Sequence, residues 1–169
     1  MEKVKTSVDL KLAQLAWVVP DINAAEKFFQ EVMGIAHFDK IENFSTHDYD
    51  PTYYGVRSET VSHLSMTWTG ELFIELIQPV SGQSIFLDFL NKNPGGGIQH
   101  ISFSIPASEL RKFIADMQDK GYPVVTSYDT PIAKIVFFDT TPVLGVMTEI
   151  MGITEEGEVE VEKMKGNKI

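Results

Sequence analysis

Four residues, Gln14, Glu75, His100 and Glu149, carry nitrogen or oxygen donors and fall at matched places in two halves of the chain. Glu75 interrupts the apolar run Phe73-Ile-Glu-Leu-Ile77, and Glu149 interrupts Val146-Met-Thr-Glu-Ile-Met151. A carboxylate inside an apolar strand is costly to bury unless it is paired or binds an ion. Gln14 and His100 form the other pair: each stands six residues before a proline, Pro20 and Pro106, and they are 86 residues apart. One nitrogen and three oxygen donors on one point suit a divalent ion such as zinc, cobalt, nickel, manganese or magnesium. Each residue taken singly has an ordinary explanation as a satisfied polar group or a surface ion pair. The fourfold matched placement is what argues for a metal.

The elements that must position these donors also repeat. Leu12 to Pro20 reads as a strand, followed by an amphipathic helix with Asp21 as its N-cap and Gly34 as its stop. Ile98 to Pro106 repeats the strand, and Ser108 is expected to cap a second helix that ends at Gly121. Strand-like runs follow in each half: Val61–Trp68 and Leu72–Ile77, then Tyr122–Tyr128, Ala133–Asp139 and Val146–Met151. Module one covers 10–80, a linker 81–97 and module two 98–152, with a tail over 153–169, all in one domain of residues 1–169. Asn93-Pro-Gly-Gly-Gly97 reads as a flexible hinge, and the acidic tail as a solvated terminus in which Glu158-Val-Glu-Val-Glu162 could pair as an edge strand.

Strand alternation sorts the faces. Leu15, Trp17 and Val19 share one side and Gln14, Ala16 and Val18 the other; Ile101, Phe103 and Ile105 oppose His100, Ser102 and Ser104. The greasy sides should meet the helices, leaving the small and polar sides to line a concavity. In the strand before Glu75, an unbulged run puts Glu59, Val61, His63, Ser65 and Thr67 on one face, against Leu64, Met66 and Trp68 on the other. With the apolar set turned to the helices, Glu59 and His63 would stand near the metal as candidate catalytic bases. Between Lys40 and Ser58 lies a polar, turn-rich insertion whose His47, Tyr49, Tyr53, Tyr54 and Arg57 could form a lid.

Composition narrows the chemistry. With 24 acidic residues against 14 basic ones, the net charge of −10 repels nucleic acid and anionic membranes. The absence of cysteine removes disulfides, thiol nucleophiles and thiolate-bound metals. Neither an export signal nor a run of roughly 18 apolar residues stands out, so a cytoplasmic protein is expected.

The signatures Val19-Pro-Asp21, Ile74-Glu-Leu-Ile-Gln-Pro79, Gly97-Ile-Gln-His-Ile-Ser-Phe103 and Gly145-Val-Met-Thr-Glu149 resemble the vicinal oxygen chelate superfamily. That resemblance implies an α+β fold in which two βαβββ modules build a curved mixed sheet around a metal-binding concavity. The family's ligand positions fall on Gln14, Glu75, His100 and Glu149, the set reached from alternation. With Gln14 in the first position only one histidine remains, which argues against an oxygen-activating dioxygenase. The complete ligand set argues against metal-free drug-binding members. The methylmalonyl-CoA epimerases look closest around Glu75 and across Ser84–Leu90; their catalytic glutamate, 16 residues before the second ligand, falls on Glu59. The implied activity is metal-dependent proton transfer alpha to a carbonyl, epimerase-like on a small acyl thioester or related chelating substrate, with Glu149 and Glu59 sharing the proton. A glyoxalase I-type lactoylglutathione lyase and a non-catalytic small-molecule binding or resistance protein are the alternatives. The modules can pair within one chain or across a dimer, and a homodimer is the expected assembly. Only Arg57 and Arg111 offer guanidinium groups for a CoA phosphate, with Lys92 and Lys134 as possible helpers.

Overall fold

The computed structural model describes residues 8–166. Module one supplies β1 (Lys11–Val18), α1 (Ile22–Glu31), β2 (Asp39–Ser45), β5 (Val61–Thr69) and β6 (Leu72–Ser81); between β2 and β5 comes a small hairpin, β3 (Thr52–Tyr53) and β4 (Val56–Arg57). A connecting helix, α2 (Ile85–Lys92), leads to module two: β7 (Gly97–Pro106), α3 (Ala107–Asp119), β8 (Val124–Asp129), β9 (Ala133–Phe138), the short α4 (Thr141–Leu144) and β10 (Met147–Ile153), followed by α5 (Glu155–Gly166). All strands join one mixed sheet in the order β2-β5-β6-β1-β7-β10-β9-β8-β3-β4. The fold is α+β, with βαβββ modules and a curled, half-barrel sheet.

The modules meet inside one chain through antiparallel pairing of β1 with β7, which sets Gln14 opposite Ser102 and Ala16 opposite His100. In each module the last strand runs parallel to the first, so β6 flanks β1 and β10 flanks β7. The four donors therefore come from the four central strands.

The convex face packs on the helices as alternation requires. Ile74, Leu76, Trp17 and Phe29 form the cluster under α1, with Trp17 edge-on to Phe29 at 5.7 Å between ring centroids. Ile105, Leu110, Phe113, Phe138 and Ile150 form the matching cluster under α3. The concave face is not a polar hollow: Ala16, Val18, Ile77, Phe137 and Met147 pack there with Ile85 and Phe86 of α2 as a third core.

Several local expectations change. Asp21 does cap α1, its carboxylate accepting from Ala24 N at 3.1 Å. Ser108 does not cap α3, which starts directly at Ala107 because β7 stays paired through Pro106 with Ile153. The tail is neither frayed nor an edge strand over its described part; α5 forms there because Thr154 Oγ1 accepts from Gly157 N at 3.0 Å. Its acidic first turn and Lys163 and Lys165 in the last turn suit the helix dipole. Gly157 is required by proximity, since a Cβ there would lie 1.9 Å from Ile132 O.

The glycine-rich hinge is a packed turn. Gly96 has φ 76° and a Cβ on it would stand 2.6 Å from Val18 O, so only glycine lets the chain fold back over the end of β1 into β7. Gly96→Ala should destabilise the protein by about 2 kcal/mol or more, read as a lowered urea midpoint at unchanged m-value.

Candidate metal centre

Gln14, Glu75, His100 and Glu149 converge. Gln14 Nε2 donates to Glu75 Oε2 at 2.6 Å and lies 3.4 Å from His100 Nε2. His100 Nε2 is in turn 3.5 Å from Glu149 Oε2 and 3.9 Å from Glu75 Oε2. Gln14, His100 and Glu149 are buried, and Glu75 opens at one edge into a cleft.

A β-bulge explains how His100 is held. The pairing of β1 with β7 slips between Ala16 and Trp17, so Gln99 is an extra residue on β7 and is buried beside His100. Gln99 Oε1 can only accept, so at 2.6 Å it accepts a hydrogen bond from His100 Nδ1–H and leaves the Nε2 lone pair facing the other donors. Gln99 Nε2 is anchored on Met147 Sδ at 3.0 Å. Orientation of an imidazole from its far nitrogen is the arrangement metal-binding histidines use. Sequence reasoning missed Gln99, because strict alternation assigns it to the opposite face.

The electrostatics are unusual. Neither Glu75 nor Glu149 pairs with a lysine or arginine among the described residues. Burial, and then the neighbouring Glu149, push the Glu75 carboxyl up to about 8, while the Gln14 amide pulls the other way. Glu149 Oε2 and the hydroxyl of Ser102, which sits between Gln14 and Glu149 in register, are buried and have no hydrogen-bond partner among the described residues.

These observations test the fit of a divalent ion. Among the described residues, no group of three or more His, Asp and Glu side chains is already arranged around a metal position. The centre is instead drawn together by the Gln14 amide hydrogens, which take the acceptor atoms that an ion would take. The donor chemistry fits: one imidazole with its lone pair directed inward, two carboxylates with no basic partner, one of them with an unpartnered oxygen, and an amide whose oxygen is the hard donor.

Glu59 and His63 do not join them. The register of β5 against β6 pairs Leu64 with Ile77 and Met66 with Glu75, which turns His63, Ser65 and Thr67 to the convex side. The apolar set faces inward because the concave side is itself a closed core, and the small Ser65 and Thr67 let α1 lie close. His63 Nδ1 accepts from Asn43 N at 3.2 Å, away from the centre. Glu59 lies ahead of β5 at the same parity as His63, so it too falls on the side away from the cleft, where it is held by Arg57 Nε at 3.1 Å and His47 Nδ1 at 2.8 Å. Thr60 and Ser62 line the cleft in its place.

The insertion does cover the concavity. It leaves β2 at one end of the sheet, crosses, and pairs β3 with β8 at the other, so Phe44 and Tyr128 from opposite ends come within 6.4 Å. Tyr54 and Gly55, both at positive φ, make the tight turn of the hairpin. Tyr53 OH donates to Asp88 of α2, and Asp129 N donates to Tyr49 O at 2.8 Å. Beneath this strap the cleft holds about 570 Å³, counting its open mouth.

Residues 13–138 match the sequence profile of the Glyoxalase/Bleomycin resistance protein/Dioxygenase superfamily. The chain belongs to this superfamily. The match takes in Gln14, Glu75 and His100; Glu149 lies beyond its end. Among superfamily-like solved structures, a hypothetical protein from Bacillus halodurans C-125 is 19% identical at a TM-score of 0.60, over 85% of this chain and 94% of its own. Methylmalonyl-CoA epimerase from Mycobacterium tuberculosis is 17% identical at a TM-score of 0.60, over 89% of this chain and 91% of its own. A Streptomyces coelicolor methylmalonyl-CoA epimerase variant, solved with 2-nitronate-propionyl-CoA, is 20% identical at a TM-score of 0.58, over 86% and 95%. These likenesses establish the shared fold. No curated protein matches the sequence.

The outward placement of Glu59 has a titration signature. Its hydrogen bond and charge raise the His47 pKa above the ordinary 6.5, and His47 and Arg57 lower that of Glu59. The stabilising pair is thus fully formed below the ordinary histidine pKa and is lost as pH rises through the folded value of His47. In proton NMR, the imidazole of His47 should titrate above 6.5 and return toward it in Glu59→Gln.

Proposed function

We propose that this chain is a metal-dependent isomerase that moves a proton at a carbon next to a carbonyl, with Gln14, Glu75, His100 and Glu149 as ion ligands. The reading is carried by one observation: a buried carboxylate oxygen of Glu149, without a hydrogen-bond partner, stands with three further donors of matched origin, one of which, Glu75, lines a largely apolar cleft. A divalent ion, when bound, supplies Lewis-acid polarisation of a carbonyl oxygen.

The protein's own groups divide the remaining work. Glu149 Oε2 can take a proton from the carbon next to the carbonyl, since it makes no hydrogen bond and only His100 Nε2, at 3.5 Å, stands beside it. Gln99 keeps the His100 lone pair directed at the centre. Phe86, Phe137 and the strap exclude water, which strengthens every electrostatic contact within. Inversion at one carbon requires a second acid–base group on the opposite face, and Glu59, the expected partner, is tied to Arg57 and His47 at the surface. A single carboxylate that returns the proton to the neighbouring carbon is sufficient for isomerisation. The geometry therefore favours a proton shift between adjacent carbons, as in the glyoxalase outcome, over epimerisation. His63, on the convex face, takes no part.

Elemental analysis of the purified protein and of Glu75→Ala and His100→Ala tests the ligands: the variants should lose the ion, and full retention in both would refute the site. Glu149→Gln should slow proton exchange in heavy water by about 10²-fold or more. Glu59→Gln should exchange at nearly the wild-type rate with its ion intact; abolished exchange would restore Glu59 as a base and epimerisation with it. Tight small-molecule binding with no deuterium uptake would instead assign a binding role.

A further inference from the structure

We infer that the substrate of this cleft is a small uncharged molecule, with two neighbouring oxygens on a ring or similarly compact apolar frame, and not an anionic thioester. The inference rests on the reading of the four donors as ion ligands and adds the chemistry of everything around them.

The wall carries one charged group, Glu75, and that group belongs to the centre itself. An anionic carboxylate or phosphate drawn into this space would find no lysine or arginine to offset its lost hydration. The one basic residue of the strap hairpin, Arg57, is already engaged by Asp50 at 3.3 Å, Glu59 at 3.1 Å and His47 O at 2.7 Å. Lys134 is likewise held by Asp129 at 3.2 Å, and the chain as a whole carries −10. A long anionic ligand is repelled before it arrives and unpaired once inside.

What the wall does offer is flat apolar surface and neutral hydroxyls. Phe86 and Phe137 stand edge to face at 6.0 Å, and Phe44 and Tyr128 close the opposite side. Such flat aromatic faces offer a large apolar area against which a compact apolar frame can be buried. Between the aromatics lie Thr46, Ser58, Thr60, Ser62 and Thr126. The Thr126 hydroxyl is buried and has no hydrogen-bond partner among the described residues, so it is available to a ligand's oxygen. The enclosed free space is small, about 30 Å³, which excludes a bulky ligand unless the walls move.

The test titrates ion-loaded protein, its metal content fixed by elemental analysis, with three probes in parallel: 2-hydroxycyclohexanone, methylmalonyl-CoA and S-lactoylglutathione. Calorimetry should show the neutral ring compound binding at least about tenfold tighter than either anion, with an affinity unaffected by salt. Deuterium from heavy water should enter the ring carbon next to its carbonyl. Ser58→Lys, which puts a cation at the mouth, should raise affinity for methylmalonyl-CoA severalfold. Tighter binding of either anion by the ion-loaded wild type, or no binding of the ring compound, overturns the inference and leaves the metal site standing. Protein that holds no ion yet still prefers the ring compound refutes the metal reading and leaves the neutral cleft standing.

Discussion

Two carboxylates buried together without a basic partner are the constraint on which this architecture turns. Glu75 and Glu149 come from different modules, yet β1 and β7 pair so that both face one point on the concave side. Lost hydration, and then the neighbouring Glu149, disfavour the charged form of Glu75 and push its carboxyl up to about 8. Around the two acids stands a set of specific contacts: the Gln14 amide on Glu75, His100 between the two acids, and the apolar mass of Phe86, Phe137 and Ile77 beside them. On the proposed reading, a cation bound at this point would favour the charged carboxylates, which would link the stability of the fold to the chemistry of the site.

Much of this was legible from the chain. Polar residues inside apolar runs, at equal offsets from Pro20 and Pro106, marked the donors, because burial of such groups needs an energetic reason. The helix capped by Asp21 and the repeat of strand, helix and strands were equally plain, since capping and periodicity are local. What was hidden depended on interactions that a one-dimensional period cannot carry. One bulge shifted parity and turned Gln99 inward, and the apolar concave core, which takes Leu64, sent His63 and Glu59 outward. The concave face was read as hollow because α2 could not be foreseen as its filling, and Asn93–Gly97 was read as slack because its composition does not show that Gly96 packs on Val18 O.

The insertion between β2 and β5 shapes the mouth of the cleft without setting the positions of the four donors. The floor is set by backbone pairing among four central strands, whereas the rim is set by a segment that touches those strands only at its ends. Aromatic and hydroxyl groups on the strap can change the occupant while the donors stay where the sheet puts them.

The strap's path has another consequence. Because it ties the two ends of the sheet within a single polypeptide, every donor and every wall of the cleft is supplied by one copy of the chain. The strap and the donors it covers are thus joined by one covalent path, and the folding of one over the other is an intramolecular event. The effective concentration of one module for the other is fixed by the covalent tether.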